Sequence, residues 1–347
     1  MSTQHGLSLV AQKMVADKKS IVAADESPDT MKKRFESAGL QYSEEAAHRF
    51  RTALFTTPGI EKYVSAVILH KDTLTRYIDS ELTAYFLQGL GIIPGVKVDQ
   101  GLRDLPGHPG EKYTLGLDSL TPQSLQWYID AGAHFAKARS VYRIGASTSH
   151  RRDGSPSSTS YHENAHFQAM YAYLCQQAGI VPIVEPEVLI DGEHDIETCF
   201  AVSKHALTVL VNTLLYYGVD FESMILKPSM VTRGLHSNQN QSPEHIAQLT
   251  LRALKECGLP QNVPGIAFLS GGHSPFRARE YLAYINRRVV EWPQLYRWKM
   301  TGSFGRASQA DALKVWALTD GDIKKTQEVF MWVLERISKA RDGFILD

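Results

Sequence analysis

Cysteine is scarce: the 347 residues hold three, Cys175, Cys199 and Cys257. No two of them make a C-x-x-C pair, so they offer neither a disulfide framework nor a zinc site, and reduced thiols in a cytoplasmic protein are expected. Net charge is missing as well. Lys+Arg and Asp+Glu both number 37, which leaves nothing to draw in nucleic acid or an anionic membrane surface. The opening MSTQHGLSLV lacks a basic flank followed by an apolar stretch and does not read as a signal peptide. No uninterrupted apolar run approaches the roughly 20 residues that span a bilayer. The 13 histidines are scattered and GEHD (192–195) reads as a loop, so neither a metal nor a cofactor is expected.

What the sequence does contain is alternation. Short β-rich runs recur at 20–27, 65–70, 91–99, 133–145, 179–189, 223–231, 265–272 and 296–305. Segments of helical period lie between them, such as 162–179 and 200–218, each closed by a glycine where a helix C-cap is expected. Strand–helix alternation argues for parallel pairing. Eight repeats of it in a chain this long predict an α/β fold, a closed (β/α)₈ TIM barrel forming one domain over 1–347. An open doubly wound sheet satisfies the same alternation. The polar stretch 146–161 is predicted to be an exposed, mobile loop after the fourth strand, and a short tail closes the chain.

In such a barrel the chemistry collects at the C-terminal ends of the strands, and here the ionisable residues fall late in the apolar runs. Asp25 and Glu26 end the first, Lys97 and Asp99 the third; Lys137 and Arg139 lie on the fourth, Glu185 and Glu187 on the fifth, Lys227 on the sixth. Three of these pairs are spaced i, i+2, which on a strand directs both side chains to one face. A lone strand lysine reads as salt-bridged or snorkelling. Three lysines and several carboxylates aimed at one mouth are expensive to bury without a ligand, and they predict a polar active site. A lysine freed of its proton by neighbouring cations and partial desolvation can attack a carbonyl and form an iminium, which stabilises a carbanion beside it. Neighbouring carboxylates then carry the protons. Lys227 with Glu185, Glu187 and Asp25 suits that division of labour.

Two further runs point to an anion. FLSGGHS places Ser270, Gly271 and Gly272 at the end of the seventh strand, and SFGRA places Gly305 and Arg306 at the end of the eighth. Phosphate sites in these barrels commonly use the loops after strands seven and eight, where N–H groups and a guanidinium hold the oxyanion. Lys33 and Arg34 could supply a second basic cluster or simply a solvated helix face.

The segments AADES, KRF, GVKVDQGL, GAHFAKARSVYRIG, GIVPIVEPEVLIDGEHD, ILKPSMVT, FLSGGHS and GSFGRASQADALKVW succeed one another along nearly the whole chain. In this order they resemble the class I fructose-bisphosphate aldolases. The resemblance implies that Lys227 is the Schiff-base lysine, Glu185 the acid/base for carbinolamine dehydration and Glu187 its orienting neighbour. It implies that Asp25 takes the C4 hydroxyl proton and that Lys137 sets the electrostatics around the nucleophile. Ser270, Gly271, Gly305 and Arg306 match the C1-phosphate site, while Lys97, Arg139, Ser27, Lys33 and Arg34 match positions that line the site or meet the far phosphate. The implied reaction is reversible cleavage of fructose 1,6-bisphosphate to dihydroxyacetone phosphate and glyceraldehyde 3-phosphate, in glycolysis and gluconeogenesis, by a homotetramer.

Some positions depart from the family. Pro28-Asp29 stand where Thr-Gly is common, Ala138 replaces a common tryptophan, 146–161 looks long, and DGFILD lacks the terminal tyrosine of many animal-type members. Sedoheptulose bisphosphate and fructose 1-phosphate remain open as substrates. A scaffold role predicts loss of Lys227, Glu185 or Asp25, and all three are present.

Overall fold

The structure is a computed structural model and describes residues 3–145 and 156–346. Eight parallel strands close into a barrel: β1 (Ser20–Ala24), β2 (Val64–Leu69), β3 (Ile93–Lys97), β4 (Phe135–Arg143), β5 (Val181–Leu189), β6 (Ile225–Leu226), β7 (Gly265–Phe268) and β8 (Lys299–Phe304). Sequence neighbours pair throughout, and β8 returns to β1 through Ile21↔Ser303 and Val22↔Phe304. The expected TIM barrel is what forms, and the open sheet is excluded by that last pairing.

The helices are α1 (Thr3–Met14), α2 (Pro28–Ser37), α3 (Glu44–Phe55), α4 (Lys71–Leu74), α5 (Thr83–Gly89) and α6 (Pro122–Asp130). They continue with α7 (Ser158–Ala178), α8 (Ile196–Tyr216), α9 (Pro243–Glu256), α10 (Pro275–Glu291), α11 (Arg306–Leu318) and α12 (Ile323–Arg341). Two apolar bodies result. One lies between the strands and the helical ring; the other fills the lower barrel, where Ile21, Ala66, Phe135, Ile183 and Ile225 meet Leu7, Ala11 and Met14 of α1 and Val15 just after it. Helix α1 therefore plugs the N-terminal end, and polar side chains can gather only at the other mouth.

Several expectations need correcting. Residues 158–161 are not loop: Ser157 caps α7 by accepting from Ser160 N, and Ser160 and Tyr161 are buried. The 146–155 part of that expected loop lies outside the described residues. The sixth strand is far shorter than 223–231, because Pro228 has no N–H for the ladder. Beyond it Ser229 and Val231 bond instead to Val188 and to the Thr250 hydroxyl. Two small hairpins, Tyr77–Ile78 with Glu81–Leu82 and Leu102–Asp104 with Lys112–Thr114, were not expected at all. Helix α8 is long and apolar enough, by length and composition, to cross a membrane. In the barrel its Cys199, Val202, Ala206, Leu210 and Leu214 are buried in the layer shared with α7 and α9.

Candidate active site

The strand ends assemble the cluster. Lys137 and Arg139 share one face of β4, in register with Ile183 and Glu185 of β5. Asp25 immediately follows β1 and Lys227 immediately follows β6. Lys137 Nζ stands 2.7 Å from Asp25 Oδ2, 3.2 Å from Glu185 Oε2 and 3.9 Å from Asp99 Oδ2. Lys227 Nζ is 3.3 Å from Glu185 Oε1, so Glu185 bridges the two lysines. Arg139 Nη1 donates to Glu187 Oε2 at 2.9 Å, and Lys97 Nζ meets Asp99 Oδ1 at 2.7 Å. Four cations (Lys97, Lys137, Arg139, Lys227) thus interleave with four carboxylates (Asp25, Asp99, Glu185, Glu187), and each charge has a partner of the opposite sign. Lys227 and Lys137 are only 3% and 4% exposed, a degree of burial an ammonium tolerates only with such partners.

Burial pulls Asp25 upward, but Lys137 and Lys227 outweigh it and hold its carboxyl well below the usual range. Burial also opposes the charge on Lys137, yet Asp25, Glu185 and Asp99 overcome it and raise its pKa. Glu187 moves the other way. Its burial outweighs Arg139 and pushes the carboxyl up, which readies it to take a proton. Asp25 is thereby an ionised acceptor and Lys137 a fixed cation between carboxylates.

These residues open into a cleft of about 970 Å³ whose rim carries Ser27, Lys33, Arg34, Ser270, Gly271, Gly305 and Arg306. Gly271 and Gly272 take φ of 52° and 91°, a left-handed turn that suits residues without a Cβ. Arg306 is held against it by donating to the Gly272 carbonyl. Gly305 begins α11 without a side-chain cap, so that helix terminus opens at the cleft with its first N–H groups unclaimed by a side chain. Ser27 caps α2 with Pro28 at its first position, so Pro28-Asp29, which depart from the family's common Thr-Gly, open a helix. Every site residue expected from the sequence therefore lies on one cleft.

Sequence reasoning missed others. Asp99 was noticed only as a strand end, yet it also accepts from the backbone N–H groups of Gly101 and Arg139 (both 3.2 Å). Ser303 lines the cleft with its hydroxyl unpartnered among the described residues. Its place two residues before Gly305 is the signal that could have found it. The stretch His162-Glu163-Asn164-Ala165-His166 spells H-E-x-x-H, a zinc spacing that corrects the expectation of scattered histidines with no metal motif among them. On α7 His166 Nδ1 instead lies 2.7 Å from the Tyr217 hydroxyl. Among the described residues, no group of three His, Cys, Asp or Glu side chains is placed to hold a metal.

Comparison with known proteins gives the same answer. The family model for class I fructose-bisphosphate aldolase matches residues 6–345. The chain belongs to the class I fructose-bisphosphate aldolase family. It is 41% identical over 326 residues to cytosolic fructose-bisphosphate aldolase 4 of Arabidopsis thaliana, covering 94% of this chain and 80% of the relative. It is 42% identical to a probable class 1 aldolase of Xanthomonas axonopodis pv. citri, covering 93% of both. The aldolase of Plasmodium falciparum, solved in complex with TRAP and a small-molecule inhibitor, superposes with a TM-score of 0.92 at 38% identity, over 99% of this chain and 96% of that one. Membership makes the chain an aldehyde-lyase that acts on a sugar phosphate through a lysine Schiff base.

Proposed function

We propose that this aldolase cleaves fructose 1,6-bisphosphate with Lys227 as its nucleophile. The observation that carries the assignment is Lys227 buried 3.3 Å from Glu185 in a cluster that already holds Lys137 charged. Glu185 is the base in reach to take the Lys227 proton. The freed amine attacks the C2 carbonyl, and loss of water from the carbinolamine leaves an iminium. Glu185, with Glu187 beside it, supplies the proton for that water. The C3–C4 bond then breaks, its electron pair moving to the iminium as an enamine while Asp25 accepts the C4 hydroxyl proton. Glyceraldehyde 3-phosphate leaves; protonation of the enamine and hydrolysis release dihydroxyacetone phosphate.

Ser270, Gly271, Gly305 and Arg306 would bind the C1 phosphate, and Arg34 with Ser27, Lys33, Lys97 and Arg139 would meet or line the path to the far one. We read the chain as one domain acting without metal or cofactor, cytoplasmic like its cytosolic plant relatives. The homotetramer that the resemblance implies is carried forward as part of this reading, and light scattering would test it. The mechanism itself is tested by borohydride trapping with dihydroxyacetone phosphate and peptide mapping of the product. Lys227 should carry the label with complete inactivation. A label on Lys137 or Lys97, or none, overturns the assignment.

A further inference from the structure

Arg51 does not line the cleft, and it is buried on α3 with 8% of its surface exposed. Its Nη1 donates to Thr73 Oγ1 at 3.1 Å and its Nη2 to the carbonyl of Glu26, also at 3.1 Å. The same Nη2 stands 3.6 Å from Glu26 Oε2, an oxygen that receives no hydrogen bond from the described residues. The other oxygen, Oε1, accepts from Arg34 Nη1 and from Gln309 Nε2 (3.1 Å). Glu26 is therefore clamped between an inner guanidinium and an outer one, and only the outer one, with its side chain 22% exposed, is open to solvent. Gln309 adds a second tie, since its Nε2 also donates to the Ala23 carbonyl on β1 at 2.6 Å.

We infer that Arg51 is a positioning residue for the far-phosphate site, setting the direction of Arg34 through Glu26 without touching substrate. The inference rests on the reading of Arg34 given above. An arginine has a long side chain with substantial rotamer freedom, and fixing it before the ligand arrives lowers the ordering cost of binding. The Glu26 carboxylate can do this only if it is itself fixed. Arg51 fixes it twice, by gripping its backbone carbonyl and by neutralising the oxygen that Arg34 does not use. A lysine at this position keeps the charge but loses the two-pronged donor geometry.

The test is a double-mutant cycle on the intact enzyme, read as KM and kcat for fructose 1,6-bisphosphate and for fructose 1-phosphate, which lacks the far phosphate. Arg51→Lys should raise KM for the bisphosphate about tenfold, the scale of one weakened charge-assisted contact, and leave KM for the monophosphate and both kcat values nearly unchanged. In an Arg34→Ala background the same substitution should add nothing. Equal rises for both substrates, or full additivity with Arg34→Ala, overturn the relay and leave Arg51 a structural ion pair. Glu26→Gln, which keeps the shape and removes the charge, should show the same split and serves if Arg51→Lys does not fold. If Arg34→Ala itself raises neither KM, the phosphate reading of Arg34 fails, and the relay with it.

Discussion

His273 closes the turn after β7. Its backbone N donates to the Ser270 carbonyl at 2.9 Å, its Nε2 lies 3.3 Å from Thr232 Oγ1, and its ring stands edge-on to Tyr281 with centroids 5.2 Å apart. Burial, with Arg306 and Arg233 beside it, pushes the imidazole down to about 4 from 6.5. The folded state thus keeps His273 neutral at a pH where the unfolded chain protonates it. Because the unfolded state binds the extra proton, stability is lost as pH falls from 6.5 toward 4, by about 2 kcal/mol at pH 5. Urea unfolding of His273→Gln and of the parent should therefore converge as pH drops from 7 to 5. Parallel curves would mean that the imidazole is solvated and titrates normally. At this scale the site was legible only in part. Lys137/Arg139 and Glu185/Glu187 are found from sequence because a strand has period two, so each i, i+2 pair must share a face. The same spacing picked out Lys97/Asp99, although β3 ends at Lys97 and Asp99 follows it in a loop. Arg51 and Gln309 sit on helices remote from Glu26 in sequence, and only the tertiary fold brings them to it.

The elements show why the barrel accepts so polar a mouth. Below the charged layer the strands interlock by size: Gly95 of β3 lies in register with Phe135 of β4, and a Cβ built on Gly95 would come within 2.4 Å of the Phe135 ring. Phe135 is fully buried in the lower barrel, so the ring has no free space to retreat into. Overpacking a well-filled core costs roughly 1–3 kcal/mol, and a contact this short places Gly95→Ala at the upper end. Its urea midpoint should fall accordingly, and adding Phe135→Leu should restore part of the loss. A variant as stable as the parent would show that the layer is loosely packed. Strand–helix alternation made this architecture readable from the sequence, whereas the ends of elements were set by caps and by proline. Helix α7 starts before the periodic segment 162–179 because Ser157 caps it, and β6 stops at Leu226 because Pro228 cannot donate. The hairpin at 102–114 was invisible because its strands are three residues each and half exposed, too short for a periodicity.

Across the whole molecule, the two ends of the barrel do different work. Arg341 closes α12 at the plugged end, where its guanidinium donates to the carbonyls of Val15, Ala16, Lys19 and Met300, all just before β1 or at the start of β8. Residues 343–345 stay at that end: Phe344 N donates to the Lys339 carbonyl at 2.9 Å, the Gly343 carbonyl accepts from Arg287 Nε at 2.6 Å, and Ile345 packs on the core. These contacts hold residues 343–345 at the plugged end, while Lys227 opens at the other mouth. The proton donor to the enamine is therefore expected in the mouth, where Glu187, whose carboxyl burial pushes up, stands beside Glu185. Deleting Gly343–Asp347 should leave the rate at which the hydroxymethyl carbon of dihydroxyacetone phosphate exchanges hydrogen for deuterium, monitored by NMR, within about twofold. Glu187→Gln should slow that exchange by tenfold or more, about 1.4 kcal/mol of barrier. The reverse pattern, with slow exchange in the truncated enzyme and normal exchange in the Glu187 variant, would move the proton donor out of the barrel and into the tail.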